Sequence, residues 1–216
     1  MAKHIGIVAC SAEGAALCYR TICTEAPLQM DRHMHPEISM HTYPLGQYML
    51  HIRTGNWRGV ADLMLSSANK LVEAGAEFAI SPDNTIHQAF EFVLEKSPVP
   101  WLHIAEVVAE EARINGFSRL AVLGTKYLMV GPVYPSILKK FGISYKIPSE
   151  TEREQIDKII FDELVNGVFE EKSRQYIYNL IQNFKEQGCD AAVLGCTEIP
   201  LLVNPEESPL PTLAST

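Results

Sequence analysis

Two stretches of this chain follow one pattern, 113 residues apart. Gly75-Ala-Glu-Phe-Ala-Ile-Ser-Pro-Asp83-Asn84-Thr85 stands against Gly188-Cys-Asp-Ala-Ala-Val-Leu-Gly-Cys196-Thr197-Glu198. Each has a glycine suited to ending a helix, an acidic residue two positions on, an apolar strand-like run and a polar triplet. A second match lies at an offset of 115 residues: Ile5-Gly-Ile-Val-Ala-Cys10 against Leu120-Ala-Val-Leu-Gly-Thr125, with Tyr19 opposite Tyr134. Units that recur in the same order at so long a period do not build a solenoid; they predict duplication of a lobe.

The runs between these landmarks set the fold class. Segments rich in Ile, Val and Ala predict strands near 4–10, 37–43, 77–82, 119–124 and 190–195. Helical spacing appears between them, as in Trp57, Val60, Ala61, Met64, Ala68, Leu71 and Val72 before Gly75, and in Ile177, Leu180, Ile181 and Phe184 before Gly188. Ile156, Ile159, Ile160 and Leu164 predict a further helix. Nearly continuous apolar strands alternating with helices imply parallel sheets covered on both faces. Ser97-Pro98-Val99-Pro100 is the best candidate for a boundary, giving lobes over 1–97 and 98–204.

Composition excludes several functions. The 216 residues are 47% apolar and 20% charged, with a formal net charge of -8. An acidic chain without clustered Lys and Arg is poorly suited to nucleic acid or anionic membranes. No signal-like leader or 18-residue apolar span occurs, so a cytoplasmic protein is expected. Five unevenly spaced cysteines are then expected as thiols. His33, His35 and His41 lack accompanying ligands at metal-site spacing, and neither a GxGxxG nor a GKS sequence is present, so no metal or nucleotide cofactor is expected.

In open parallel sheets, ligands bind beyond the carboxyl ends of the strands. Asp83-Asn84-Thr85 and Cys196-Thr197-Glu198 both fall at such ends, as do Cys10-Ser11 and Thr125. If the lobes face each other, the two triplets would flank one cleft, with a group on either side of a carbon centre. A thiol suits proton exchange there because its reference pKa of about 8.5 lies near neutrality. Asn84, Thr85 and Thr197 offer amide and hydroxyl groups for a carboxylate. His87, four residues beyond Asp83, is expected to support the site by hydrogen bonding rather than to act as a base. Each has a plainer structural reading: Asp83 as an Asx turn or helix cap, Asn84 and Thr85 as caps, and Cys196 as a buried core thiol.

Val193-Leu-Gly-Cys196-Thr197-Glu198-Ile199-Pro200-Leu201 closely resembles the second cysteine motif of the aspartate, glutamate and hydantoin racemases, and Asp83-Asn84-Thr85-Ile86-His87 resembles their first motif, Cys-Asn-Thr-x-His. The opening Ile5-Gly-Ile-Val run and the Leu123-Gly124-Thr125 turn also match, so the resemblance spans nearly the whole chain. It implies two pseudosymmetric Rossmann-like lobes with the active site in the cleft between them. It also implies a homodimer acting on a small amino acid or dicarboxylate, and proton exchange at Cα without pyridoxal phosphate or metal. Catalysis would rest on Cys196 and its counterpart Asp83. Substrate contacts would come from Asn84, Thr85, Thr197, Glu198, Cys10, Ser11, Thr125 and His87.

This chain departs from the family at its first motif, where Asp83 stands in place of the first cysteine. A one-cysteine decarboxylase or cis-trans isomerase of a dicarboxylate, as found in the wider superfamily, is therefore an alternative. A non-catalytic ligand-binding descendant is another. At Glu163-Leu164-Val165 the lysine of some aspartate-specific members is missing, and Arg53, Arg58 and Lys126 are candidates for the cation. The resemblance further implies that 205–216 leads toward a helix completing the first lobe.

Overall fold

The computed structural model describes residues 2–215. The chain forms two compact units that divide after Ile104. In the first unit the order is β1 (Ile5–Ala9), α1 (Ala12–Glu25), β2 (Ile38–Thr42), α2 (Leu45–Arg53), α3 (Trp57–Glu73) and β3 (Phe78–Ile80). A 3-10 turn over Thr85–Ala89 and α4 (Phe90–Leu94) follow. The strands pair in the order β2-β1-β3, all parallel. The helix α5 (Ile104–Ile114) leads into the second unit, which continues with β4 (Arg119–Leu123), α6 (Lys126–Val130), α7 (Val133–Lys140), β5 (Ser144–Lys146) and α8 (Glu150–Lys158). After a π turn at Ile159–Glu163 come α9 (Glu171–Glu186), β6 (Ala191–Leu194), α10 (Ile199–Leu202) and β7 (Thr212–Ala214). Their order is β5-β4-β6-β7, again all parallel.

Local chemistry accounts for the principal helices. The Asn56 side chain caps α3 by accepting from the Gly59 N–H at 3.1 Å, and Val60, Ala61, Met64, Ala68 and Leu71 form its buried stripe. Gly75 ends the turn at φ +99°, a conformation that glycine adopts without a Cβ clash. In α9 the stripe is Ile177, Leu180, Ile181 and Phe184, and Gly188 repeats the ending at φ +85°.

The second sheet is covered on both faces. Ala121 and Leu123 of β4, with Ala192 and Leu194 of β6, pack with residues of α9 such as Ile177 and Ile181. The intervening Leu120, Val122, Ala191 and Val193 pack on α5 and α7 through Val108, Ala112, Tyr134 and Leu138. Strand periodicity of two, with apolar residues at every position, is the signature of a sheet buried on both sides.

The two units repeat in detail. Glu77 accepts from the His4 N–H at 3.0 Å, and Asp190 accepts from the N–H groups of Ser118 and Arg119 at 2.7 and 2.9 Å. In each unit the same acidic residue also donates its own N–H to the strand start, Glu77 to His4 O and Asp190 to Arg119 O, at 2.9 Å in both cases. Hydrogen bonds of 2.9 Å from Ala79 N to Pro100 O and from Ala192 N to Pro211 O complete the match.

That last pair corrects two expectations. Ser97-Pro-Val-Pro-Trp101-Leu102 and Ser208-Pro-Leu-Pro-Thr212-Leu213 are themselves a repeat. The first lies inside the first unit rather than at its boundary: Trp101 bridges Ala79 beside β3, and the division falls after Ile104 rather than after residue 97. Residues 205–215 do not complete the first lobe, because β7 pairs with β6 and seats Leu213 in the core of the second unit. Among the described residues, no helix is long and apolar enough to cross a membrane.

Candidate active site

In the second unit the site begins where β4 and β6 end. Their register runs to Leu123 opposite Leu194, so its continuation sets Gly124 opposite Gly195 and Thr125 opposite Cys196. The backbones approach closely: Gly195 N–H donates to Leu123 O at 2.7 Å, and a Cβ added at Gly195 would lie 2.7 Å from that same oxygen. Only glycine fits, and the turn delivers Cys196 at the strand end. The Cys196 thiol, 8% exposed, donates to Glu198 Oε2 at 3.0 Å. Thr197 Oγ1 donates to the same oxygen at 3.2 Å. Glu198 is 2% exposed, and its Oε1 has no hydrogen-bond partner among the described residues. A buried carboxylate oxygen without a protein partner is costly, which makes Glu198 a candidate for contact with a ligand. Thr125 is a cap: its Oγ1 accepts from the Leu128 N–H at 3.2 Å, starting α6.

In the first unit, β1 and β3 pair with Ile7 opposite Ile80, and Ser81 Oγ donates to Val8 O at 2.9 Å. Continuing this register sets Cys10 opposite Asp83. Asp83 does perform the capping expected of an aspartate in a turn: its Oδ1 accepts from the Ile86 N–H at 3.1 Å. Asn84 and Thr85 are buried beside it, as are Cys10 and Ser11 at the end of β1. The Ser11 hydroxyl makes no hydrogen bond among the described residues, although it occupies the N-cap of α1.

His87 is a brace. Its Nδ1 donates to Asp83 O at 2.7 Å, and its Nε2 accepts from the Ile104 N–H at 3.3 Å, an arrangement that requires the neutral ring. Burial, then the charge of nearby His103, lowers its pKa to about 3, against weaker opposition from its backbone partners. His87 therefore holds the Asp83 turn in place and is no proton carrier near neutrality.

The sequence profile of the Asp/Glu/hydantoin racemases matches residues 7–216. The chain belongs to that family. It is 29% identical, with a TM-score of 0.87, to a candidate Asp/Glu racemase from Yersinia pestis, the match covering 99% of this chain and 94% of that one. An aspartate racemase homologue from Pyrococcus horikoshii is 28% identical, with a TM-score of 0.82 over the same shares. The broad specificity amino-acid racemase RacX of Bacillus subtilis is 24% identical over 155 residues, which span 70% of this chain and 65% of that protein.

Within this family member, two of the three cations foreseen from sequence, Lys126 and Arg58, have other local engagements. Lys126 pairs with Asp157 at 3.4 Å, and Arg58 lies over the Phe92 ring. The sequence reading missed a polar cluster at the end of β2. Lys70 Nζ donates to Tyr43 Oη at 2.9 Å and to His41 Nε2 at 3.0 Å, while Tyr43 Oη meets Ser66 Oγ at 2.8 Å. Lys70 lies in α3 and Tyr43 just past β2, 27 residues earlier, so only tertiary structure unites them. Tyr48, fully buried, was missed as well. Burial, then the negative charge of Cys10 and less strongly that of Asp83, raises its pKa well above the usual tyrosine value. Two other thiols read as structural. Burial pushes Cys18 up to about 11, and burial also raises Cys189.

Proposed function

We propose that this protein is a cofactor-independent amino-acid racemase or epimerase that works by proton exchange at Cα. The observation that carries this reading is the buried pair of Cys196 and Glu198, 3.0 Å apart at the end of β6 in a chain of this family. Passing the thiol proton to the carboxylate leaves a thiolate, the form that removes a Cα proton; the reverse transfer restores a thiol able to deliver one. Glu198 Oε1 remains as an acceptor for an α-ammonium group, which favours an amino acid over a simple dicarboxylate. Asn84, Thr85 and Thr197 hold the α-carboxylate. Inversion needs a second group acting on the opposite face of Cα, and the Asp83 end of the first unit supplies it. We further propose that the protein acts in the cytoplasm, as a homodimer, on a small free amino acid.

Aspartate and glutamate are the first substrates to test. RacX is named for broad specificity, so neutral amino acids belong in the panel. Each pure enantiomer is incubated with the protein and followed by chiral chromatography, with Cys196→Ala and Asp83→Ala alongside. The expected result is conversion of both enantiomers toward a racemate, reduced at least about 100-fold in Cys196→Ala. Failure of every amino acid, with turnover of an arylmalonate or maleate instead, would replace this reading with the one-cysteine lyase or isomerase.

A further inference from the structure

The repeat that relates the two units also redistributes their thiols. In the second unit, the continued strand register sets Thr125, at the end of the first strand, opposite Cys196, at the end of its neighbour. In the first unit the equivalent positions are Cys10 and Asp83, which the register sets opposite one another when it is continued three residues beyond Ile7 and Ile80. Each unit thus has one thiol at this pair of strand ends, but on different strands. The remaining cysteines do not compete for the position. Cys18 and Cys23 lie within α1, and Cys189 precedes β6 at the other end of the sheet.

We propose that Cys10 is the first unit's catalytic thiol, standing in for the cysteine that position 83 lacks, with Asp83 as the carboxylate that exchanges a proton with it. This rests on the racemase reading above.

Three features beyond the register support the assignment. Cys10 is 3% exposed, and it adjoins Ser11, whose buried hydroxyl has no hydrogen-bond partner among the described residues. Such a hydroxyl is a costly feature in a plain core and a useful one where a substrate carboxylate must be met. Tyr48, fully buried, feels the charges of both Cys10 and Asp83, so the two groups share one environment. Finally, one Asp83 oxygen already accepts the Ile86 N–H. A carboxylate with a reference pKa near 3.9 is a poor base for a carbon acid, whereas a thiol near 8.5 is well matched.

Cys10 and Asp83 would hold one proton and one negative charge between them. With the proton on Asp83, the Cys10 thiolate takes the Cα proton: the Cα–H bond breaks, an S–H bond forms, and the electron pair stays on the substrate. Cys196 then delivers its proton to the opposite face, forming the new Cα–H bond and leaving its own thiolate. Reverse turnover or proton exchange with water restores the starting state, and no oxidant or reductant is needed.

The test follows Cα exchange from each pure enantiomer in D₂O, using wild type, Cys10→Ala, Cys10→Ser and Cys196→Ala. Thermal melts establish that each variant folds. Cys10→Ala is expected to lose exchange from one enantiomer by at least about 100-fold while keeping it from the other, and Cys196→Ala to show the mirror pattern. If Cys10→Ala and Cys10→Ser exchange both enantiomers within about threefold of a wild type that is itself active, Cys10 is not catalytic and the racemase reading stands without it. If wild type exchanges neither, the racemase reading fails by itself. The Cys10–Asp83 pairing is then judged by NMR titration of 13Cβ-labelled cysteine. Asp83→Asn is expected to move the Cys10 midpoint by about one pH unit or more; an unmoved midpoint overturns the pairing.

Discussion

At the residue scale, hydrogen bonding and burial separate the groups of the candidate site that can exchange a proton near neutrality from those that only hold the backbone in place. His87 resembles a candidate base in sequence, yet both its ring nitrogens are engaged with backbone, and burial keeps the ring neutral. Its folded-state pKa of about 3 lies below the roughly 6.5 of an unfolded histidine, so the unfolded chain takes up the proton first as pH falls. The contribution of His87 to stability is therefore complete above about pH 6.5 and is lost between there and about pH 3. Urea titrations should show stability falling by up to about 1.4 kcal/mol per pH unit below pH 6.5, a slope that His87→Gln flattens. An unchanged slope in that variant would contradict the assignment. Gly195 makes a different contribution, since its missing Cβ lets β6 meet Leu123. Gly195→Ala should cost about 1–3 kcal/mol and displace Cys196, lowering turnover more than the stability loss alone explains. A fully active, equally stable variant would show that the close approach is dispensable.

At the element scale, paired acidic residues tie neighbouring strands together at the end of each sheet away from the site. Asp190 accepts from two backbone N–H groups and from Ser118 Oγ. Burial works against its charge, but these donors prevail and lower its pKa. The direction is that of a stabilising carboxylate, whose contribution is present above the unfolded value near 3.9 and is lost as pH falls through the folded one. Asp190→Asn should therefore destabilise the protein near neutral pH by about 1 kcal/mol, and the difference from wild type should shrink in acid. Glu77, with one such bond from the His4 N–H, should show a smaller effect on substitution by Gln. Denaturation midpoints of the two variants and wild type at pH 7 and at about pH 2, below the unfolded carboxylate value, check both statements.

At the scale of the whole molecule, duplication organises both the fold and the candidate site, and much of it is legible in the sequence. Strands β1, β3, β4 and β6 are runs of apolar residues, and Gly75 and Gly188 mark the helix ends that precede two of them. The edge strands were harder to read. Ser144–Lys146 and Thr212–Ala214 are three residues each, partly exposed and without an apolar run, so pairing rather than composition makes them strands. The second Ser-Pro-x-Pro segment carried a usable signal, because its likeness to the first would have assigned residues 208–213 to the second unit. At the site, Cys196 and Asp83 stand out from motif and repeat. The Lys70–Tyr43 contact and the bond from Cys196 to Glu198 depend on how side chains are folded against one another, which spacing does not encode. The central claim is that this chain moves a proton at the α-carbon of an amino acid through Cys196. Its most direct test is proton NMR in D₂O of L- and D-aspartate and glutamate, then of neutral amino acids, with no cofactor added. The account predicts loss of the Cα proton signal with wild type and its retention with Cys196→Ala from at least one enantiomer. Exchange by Cys196→Ala at the wild-type rate from both enantiomers, or no exchange by wild type from any amino acid, would contradict it.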